Sequence, residues 1–208
     1  MPVKIKVCGF TVAEEAAEAA SAGIDYAGVI FAQSSPRFVD PARAKAIASA
    51  VRAAPNSSAK IVGVFTEGSF AEISRAAQTV ELDVIQLHFG ASEELVQKLK
   101  SVAEVWRVFW LSDEADVRAA LASNADAVLL DSRSGGKVGG TGVSANWALA
   151  AEVAARRRAV LAGGISPQNA AAAVSAVSPW GLDANSGVEI SAGRKDISKI
   201  RELLSFKL

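Results

Sequence analysis

The chain has 208 residues, of which 50% are hydrophobic, and its 22 basic residues equal its 22 acidic residues in number. This balance provides no net field to hold a nucleic-acid backbone or an anionic membrane, so we expect neither partner. The single cysteine and single histidine exclude an intramolecular disulfide, argue against a metal site, and favour a reducing, cytoplasmic location. No apolar run reaches the ~18 residues that a membrane span requires, and the N-terminus leads into a strand instead of a secretory leader.

Strand-like apolar segments alternate with segments of helical periodicity along the chain. The strands are predicted to begin near Val3, Asp25, Lys60, Asp83, Glu104, Asp126, Ala159 and Trp180. A strand and a helix that alternate roughly every twenty residues are typical of parallel strands joined by right-handed crossovers. Eight such units predict an α/β fold in which residues 1–208 form a single (β/α)8 (TIM) barrel domain.

An open, doubly wound sheet is the alternative fold. Such a sheet usually carries G-x-G-x-x-G after its first strand, and this chain has Cys8-Gly9-Phe10-Thr11 at that place. Local signals at the helix ends fit the barrel. Thr11 with Glu14 resembles a capping box, Ser92 precedes a helical run, and Ser166-Pro167 places proline in a first helical turn. The run 156–158 of three arginines is expected to close the sixth helix on a solvated face.

Polar side chains on the first and fourth strands are predicted to point into the barrel. Lys6 and Cys8 lie two residues apart, as do Gln86 and His88, so each pair projects from one face of its strand. The outer face of a barrel packs against apolar helices, and each polar pair must therefore face inward, near the C-terminal rim.

Two carboxylates are expected at the same rim. Asp131 ends the apolar sixth strand and Asp183 ends the eighth. A loop with glycines at 135, 136, 139, 140 and 142 follows Asp131, which suits backbone that lies close against a ligand. One thiol, one lysine, one imidazole and two carboxylates would then surround a single opening.

The turns after the last two strands contain Gly163-Gly164 and Ser186-Gly187. Barrel enzymes frequently bind phosphate with these loops and with a helix N-terminus, so the ligand is expected to be a phosphorylated small molecule. Arg37, in the loop after the second strand, is a further rim cation suited to a carboxylate.

Seven short motifs together resemble those of the phosphoribosylanthranilate isomerase family. In order they are Lys6-Val7-Cys8-Gly9-Phe10-Thr11, Ser35-Pro36-Arg37, Gln86-Leu87-His88, Leu130-Asp131-Ser132, Gly139-Gly140-Thr141-Gly142, Ala162-Gly163-Gly164 and Asn185-Ser186-Gly187-Val188-Glu189. The chain departs from the family at Phe89, where the family usually has glycine directly after the histidine.

The resemblance implies a (β/α)8 barrel that converts N-(5-phosphoribosyl)anthranilate to 1-(2-carboxyphenylamino)-1-deoxyribulose 5-phosphate without a cofactor, in tryptophan biosynthesis. It implies that Cys8 is the general base, Asp131 the general acid, and Arg37 the residue near the anthranilate. It places the phosphate on the Gly163-Gly164 and Ser186-Gly187 turns. Lys6 is expected to favour the Cys8 thiolate, and further contributions to the substrate-binding network are expected from Lys6, His88 and Asp183. We expect a monomer or a weak homodimer.

Three other functions are weighed against this one. A histidine-pathway sugar isomerase on the same barrel, with single or dual specificity, uses an aspartate base where Cys8 stands. A Schiff-base aldolase would have lysine where Asp131 stands. A catalytically silent phosphosugar-binding module would keep the glycine turns and lose the acid and the base, and both are present here.

Overall fold

The structure is a computed structural model that describes residues 2–88, 90–131 and 146–207. Phe89 and the glycine-rich loop at 132–145 lie outside the described residues, and the expectations placed on them are therefore not addressed by it. Among the helices of the described ranges, none is long and apolar enough to cross a membrane.

Eight parallel strands close into a barrel in sequential order, with the first strand pairing to the eighth. This confirms the predicted (β/α)8 barrel. The strands are β1 (Lys4–Val7), β2 (Tyr26–Ile30), β3 (Lys60–Phe65), β4 (Val84–Leu87), β5 (Glu104–Trp110), β6 (Ala127–Asp131), β7 (Ala159–Ala162) and β8 (Gly181–Ala184). Each begins within one residue of its predicted start, because each apolar run is bounded by a polar or turn residue.

The helices pack around the barrel. They are α1 (Ala13–Ala22), α2 (Pro41–Ala53), α3 (Phe70–Val80), α4 (Glu93–Leu99), α5 (Glu114–Ala122), α6 (Asn146–Ala154), α7 (Pro167–Val177) and α8 (Ile197–Leu204). After β8 come a short 3-10 helix (Ser186–Val188) and a two-stranded hairpin of β9 (Glu189–Ser191) and β10 (Arg194–Lys195), before α8.

The predicted helix caps are partly confirmed. The Ser92 side chain accepts a hydrogen bond from the backbone of Leu95 at the start of α4, and α7 begins at Pro167. The capping box at Thr11 is wrong. The N-cap of α1 is Val12, which forms no side-chain cap. The Thr11 hydroxyl instead donates to the Gly193 carbonyl at 2.6 Å, because the hairpin after β8 lies against this loop.

The prediction for the arginine run 156–158 is confirmed only for Arg156. Helix α6 ends at Ala154, and Arg156, which is 61% exposed and pairs with Glu152, follows it on a solvated face. The other two arginines differ from the prediction. The Arg158 guanidinium lies 3.9 Å from the centroid of the Trp180 ring and forms an ion pair with Glu104. Arg157 donates hydrogen bonds to three backbone carbonyls, those of Leu121, Ser123 and Ala125. These two cations therefore tie neighbouring elements together instead of covering a solvated face.

Side-chain alternation along the strands separates two apolar cores, as predicted. Ile5, Val7 and Leu87 lie in the layer between the barrel and its helices. Cys8 lies in the second core, inside the barrel, together with Tyr26, Val62, Val84, Trp106, Ala127, Leu129 and Val160. The inward direction predicted for the polar residues of β1 is thereby confirmed.

A recurring contact, which we call the aspartate brace, joins neighbouring strands at the end of the barrel opposite the C-terminal rim. An aspartate directly before β2, β4 and β6 accepts a hydrogen bond from a backbone N–H of the preceding strand. The pairs are Ile5 with Asp25 at 2.8 Å, Ile61 with Asp83 at 2.8 Å, and Val105 with Asp126 at 2.9 Å. The polar residues that mark these strand starts in the sequence therefore hold the barrel at its N-terminal end.

Candidate active site

A cavity of about 240 Å³ opens at the C-terminal end of the barrel. Six of the predicted site residues line it: Cys8, His88, Asp131, Gly163, Gly164 and Asp183. They come from the ends of β1, β4, β6, β7 and β8, which closure of the barrel brings to one rim. The cavity is therefore built from residues that are far apart in sequence.

Lys6 lies beneath this cavity and is almost fully buried. Its ammonium donates to Asp183 Oδ2 at 2.8 Å. Burial opposes the charge on Lys6, but the negative charges of Asp183 and Cys8 outweigh it and raise the Lys6 pKa above its ordinary value. The charged Lys6 therefore lies under the floor of the cavity, where it bonds Asp183 and lowers the pKa of Cys8 from the value that burial alone would give.

Cys8 is the only thiol of the chain and is 5% exposed. Burial raises the pKa of the Cys8 thiol above its ordinary value, and the positive charges of Lys6 and Lys195 offset only part of that effect. Lys6 thus favours the thiolate, as expected from the sequence, but does not outweigh burial. The resting thiol is predominantly protonated at neutral pH.

His88 lies on the cavity wall beside a buried amide. Its Nε2 is 3.3 Å from Gln86 Nε2. Burial and the nearby Lys6 lower the pKa of His88 below its ordinary value. The imidazole is therefore neutral at neutral pH, and its Nε2 lies within hydrogen-bond distance of the Gln86 amide.

Two buried oxygen atoms on the cavity wall have no hydrogen-bond partner among the described residues. They are Gln86 Oε1 and Asp183 Oδ1. A buried acceptor without a partner costs about 1–3 kcal/mol. The two residues line the cavity, but these oxygen atoms are shielded behind its surface, so a ligand would reach them only after a shift of the wall.

The two predicted phosphate turns lie against each other. Gly163 and Gly164 line the cavity with positive φ angles of 91° and 79°. Gly187 packs so closely on the turn before α7 that a Cβ there would collide with the carbonyl oxygen of Ile165. Ser186 and Gly187 begin the 3-10 helix directly after β8. Of these predicted phosphate residues only Gly163 and Gly164 line the cavity, and Ser186 and Gly187 lie beside it, next to the turn before α7.

Arg37 is not part of the cavity wall. Its Nε donates to Glu189 Oε1 at 2.8 Å and one terminal nitrogen donates to Glu189 Oε2 at 2.6 Å. Its backbone N–H bonds the hydroxyl of Ser35, which does line the cavity. The guanidinium is thus fixed by a carboxylate behind it and adjoins the cavity through its own loop.

Several residues of this region received no predicted role. Glu189 and Lys195 are both buried and bond each other at 2.8 Å, although they come from strands of only three and two residues. Strands this short carry no periodic pattern that would indicate buried positions. Asn185 also lines the cavity, and the only signal for it was its place beside the Ser186-Gly187 turn.

The fold and the cavity define a (β/α)8-barrel enzyme of the acid–base type, since a thiol, an imidazole and two carboxylates surround one opening at the C-terminal rim. A thiamine phosphate pyrophosphorylase from Pyrococcus furiosus, at 15% identity and a TM-score of 0.71, shares this fold alone.

The closer comparisons identify the family. The family model of N-(5'-phosphoribosyl)anthranilate (PRA) isomerase matches residues 5–205. The N-(5'-phosphoribosyl)anthranilate isomerase of Pelobacter propionicus is 39% identical over 202 residues, which cover 97% of this chain and 94% of that protein. The chain belongs to the phosphoribosylanthranilate isomerase family, as the sequence motifs predict.

Solved structures agree with this assignment. The phosphoribosyl anthranilate isomerase of Thermotoga maritima has a TM-score of 0.88 and 31% identity, with 99% of this chain and 98% of that chain covered. A second structure, with a TM-score of 0.85, 30% identity and the same coverage, is that of a phosphoribosyl anthranilate isomerase in complex with reduced 1-(o-carboxyphenylamino)-1-deoxyribulose 5-phosphate.

Proposed function

We propose that the protein converts N-(5'-phosphoribosyl)anthranilate to 1-(2-carboxyphenylamino)-1-deoxyribulose 5-phosphate, a step of tryptophan biosynthesis. The observation that carries this proposal is that Cys8 and Asp131 line one cavity beside the paired glycine turns, in a chain of this family. The related enzyme that binds the reduced product supports the same choice of substrate.

The two residues suit the two proton transfers of an Amadori rearrangement. Asp131 donates a proton to the furanose ring oxygen as the C1–O bond breaks and the nitrogen lone pair forms a protonated imine. Because the resting thiol is protonated, Cys8 first loses its proton to solvent, and the Lys6 charge stabilises the thiolate that results. The thiolate then accepts the proton from C2, and the electron pair of that C–H bond forms the C1=C2 double bond as the imine nitrogen becomes neutral, which gives an enolamine. Addition of a proton at C1 and loss of the proton of the C2 hydroxyl give the ketone.

The sugar part of the substrate occupies the cavity that Cys8, Gln86, His88 and Asp183 line. A ribose that places C2 near the thiol therefore lies among polar side chains, which orient the open-chain sugar.

The phosphate binds at the turns of Gly163, Gly164, Ser186 and Gly187. Backbone N–H groups at a helix N-terminus carry the partial positive charge that an anion requires. Arg37 orients the anthranilate carboxylate at the opposite end of the substrate.

Gly164 provides a matched pair of variants for the phosphate site. Its φ is 79° and no heavy atom lies within 4 Å of a Cβ built there, so the position has room for a side chain. Asparagine and aspartate tolerate this backbone conformation about equally, and only aspartate repels the phosphate. We expect Gly164→Asp to raise KM for the phosphorylated substrate roughly tenfold or more above that of Gly164→Asn, from the loss of about 1.4 kcal/mol or more of binding. Steady-state kinetics of both variants measure this, and equal KM values would place the phosphate elsewhere.

One assay tests the function as a whole. The purified protein is mixed with N-(5'-phosphoribosyl)anthranilate, and the decrease of anthranilate-linked fluorescence is followed over time. We expect rapid turnover of this substrate and much slower turnover of the histidine-pathway aminoaldose phosphate. Absence of turnover with the first substrate would favour the silent binding module, and comparable rates with both would favour dual specificity.

Two further properties remain predictions. A location in the cytoplasm agrees with the chemistry of a biosynthetic isomerase that holds one reduced thiol. A monomer or a weak homodimer is expected, and one related structure is described as that of monomers of a dimeric enzyme from Thermotoga maritima.

A further inference from the structure

Four polar residues form a group beside the cavity, which we call the Glu189 cluster: the buried Glu189 and Lys195, and the partly exposed Arg37 and Asn185. The Glu189 carboxylate accepts two bonds from Arg37 on one side. On its other side it accepts from Lys195 Nζ at 2.8 Å, and that ammonium also lies 3.1 Å from Asn185 Oδ1. One carboxylate thus connects the loop after β2 with the turn after β8.

The charges of the cluster do not balance. Two cations surround one carboxylate, and Lys195 is 2% exposed. Although burial opposes ionisation, bonds from Arg37 and Lys195 lower the pKa of Glu189 to about 2, so it stays charged at neutral pH. Buried ion pairs stabilise a fold weakly compared with apolar residues of similar volume. An excess of positive charge beside a cavity instead fits an anionic ligand.

The cluster reaches the cavity through Asn185, which lines it. A Cβ built on Gly9 would lie 2.7 Å from Arg37 Cδ and 3.0 Å from Asn185 Oδ1, so both side chains pack against the glycine that follows Cys8. Any movement of the Glu189 carboxylate would therefore disturb two side chains that contact Gly9, directly after Cys8.

We propose that Glu189 and Lys195 are positioning residues: Glu189 sets the direction in which Arg37 meets the anthranilate carboxylate, and Lys195 holds the Asn185 turn that leads into the phosphate site. This inference rests on the proposed function. It adds that one buried pair, Glu189 with Lys195, fixes the groups that bind the two anionic ends of the substrate, the carboxylate and the phosphate. Neither residue touches the reacting atoms.

A double-mutant cycle tests the Glu189 branch. Glu189→Gln keeps the shape and removes the charge that orients Arg37. We expect a rise in KM of roughly tenfold or more, as for loss of one hydrogen bond to a charged group, and a much smaller change in kcat. In the Arg37→Ala background the same substitution is expected to raise KM much less than in the native protein, because most of its effect acts through Arg37 and only the part that acts through Lys195 remains.

The controls separate positioning from folding. Thermal unfolding followed by circular dichroism reports stability, and a purely structural role would lower the melting temperature and multiply the effects of both substitutions. Glu189→Asp retains the charge and is expected to recover part of the lost affinity. Independent, multiplicative effects on KM, or an unchanged KM in Glu189→Gln, would overturn the inference. An unchanged KM in Arg37→Ala alone would instead reject the role of Arg37 in the proposed function.

The Lys195 branch has its own measurement. Calorimetry with inorganic phosphate as the probe is expected to show roughly tenfold or more weaker binding by Lys195→Met, since the Asn185 turn loses its anchor. Lys199→Met is the matched control, because the Lys199 ammonium bonds the backbone carbonyl of Glu189 at 3.0 Å and pairs with Asp196 at 3.9 Å, without contacting the Glu189 carboxylate among the described residues, and is 41% exposed. Equal phosphate affinity of the two lysine variants would overturn this branch.

Discussion

Replacing Cys8 by alanine is expected to lower kcat at least about a hundredfold, because removal of a general base typically costs 10²–10⁴-fold. KM is expected to change much less, since the phosphate and carboxylate ends of the substrate bind elsewhere. Cys8→Ser is the matched control for packing. A hydroxyl fills the same space but is a far weaker base, so the serine variant should be about as slow as the alanine variant. Recovery of activity by serine would show that Cys8 serves packing.

The pH dependence of kcat/KM adds a second measure for Cys8. A general base works only when deprotonated, so its contribution rises with pH until its pKa is passed, and burial places that pKa above the ordinary value of 9.0. A general acid works only when protonated, so its contribution falls as pH rises. The native enzyme is therefore expected to show a bell-shaped dependence of kcat/KM on pH, and Cys8→Ala is expected to lose the rising limb of that profile. A rising limb that persists in Cys8→Ala would assign the base to another group.

Asp131→Asn is the second substitution with a large expected effect. The amide keeps the shape of the side chain and has no acidic proton for the ring oxygen. We expect kcat to fall at least about a hundredfold. The reaction should stall before the furanose opens, so that single-turnover experiments show bound, unchanged substrate.

A control for Asp131 lies at the other end of the same strand. Asp126 forms an aspartate brace with Val105 and is far from the cavity rim. Asp126→Asn removes the same charge, and we expect a lower melting temperature with kcat nearly unchanged. Near-normal turnover by Asp131→Asn would reject its role as the acid and make Asp183 or His88 the next candidate.

The sequence predicts the parts of this protein that depend on local pattern. The spacing of apolar runs places each strand start within one residue, and the two-residue alternation of Lys6 and Cys8 gives their inward direction. Barrel closure then brings Asp131 and Asp183 to the same rim without further information. The period is predicted correctly because it is a property of short segments. The topology follows from the alternation of strands and helices along the chain.

Other contacts cannot be inferred from such patterns. Arg37 and Glu189 are 152 positions apart, and nothing in either segment indicates the pairing. Thr11 has the local sequence of a cap, yet its hydroxyl bonds Gly193, which is 182 positions away. The overall rise in the Cys8 pKa likewise depends on how deeply the thiol is buried, whereas the sequence reveals only the cation beside it.

The aspartate braces also bear on how the chain folds. Each closes over a short stretch of chain, with separations of 20, 22 and 21 residues between donor and acceptor. Contacts this local form at a small loop-closure cost and favour early pairing of neighbouring strands. The barrel is thereby divided into two-strand modules, β1 with β2, β3 with β4, and β5 with β6. A nascent chain that has emerged as far as β2, β4 or β6 has completed every brace of its modules, whereas one that stops at β1, β3 or β5 leaves one backbone N–H without its aspartate acceptor.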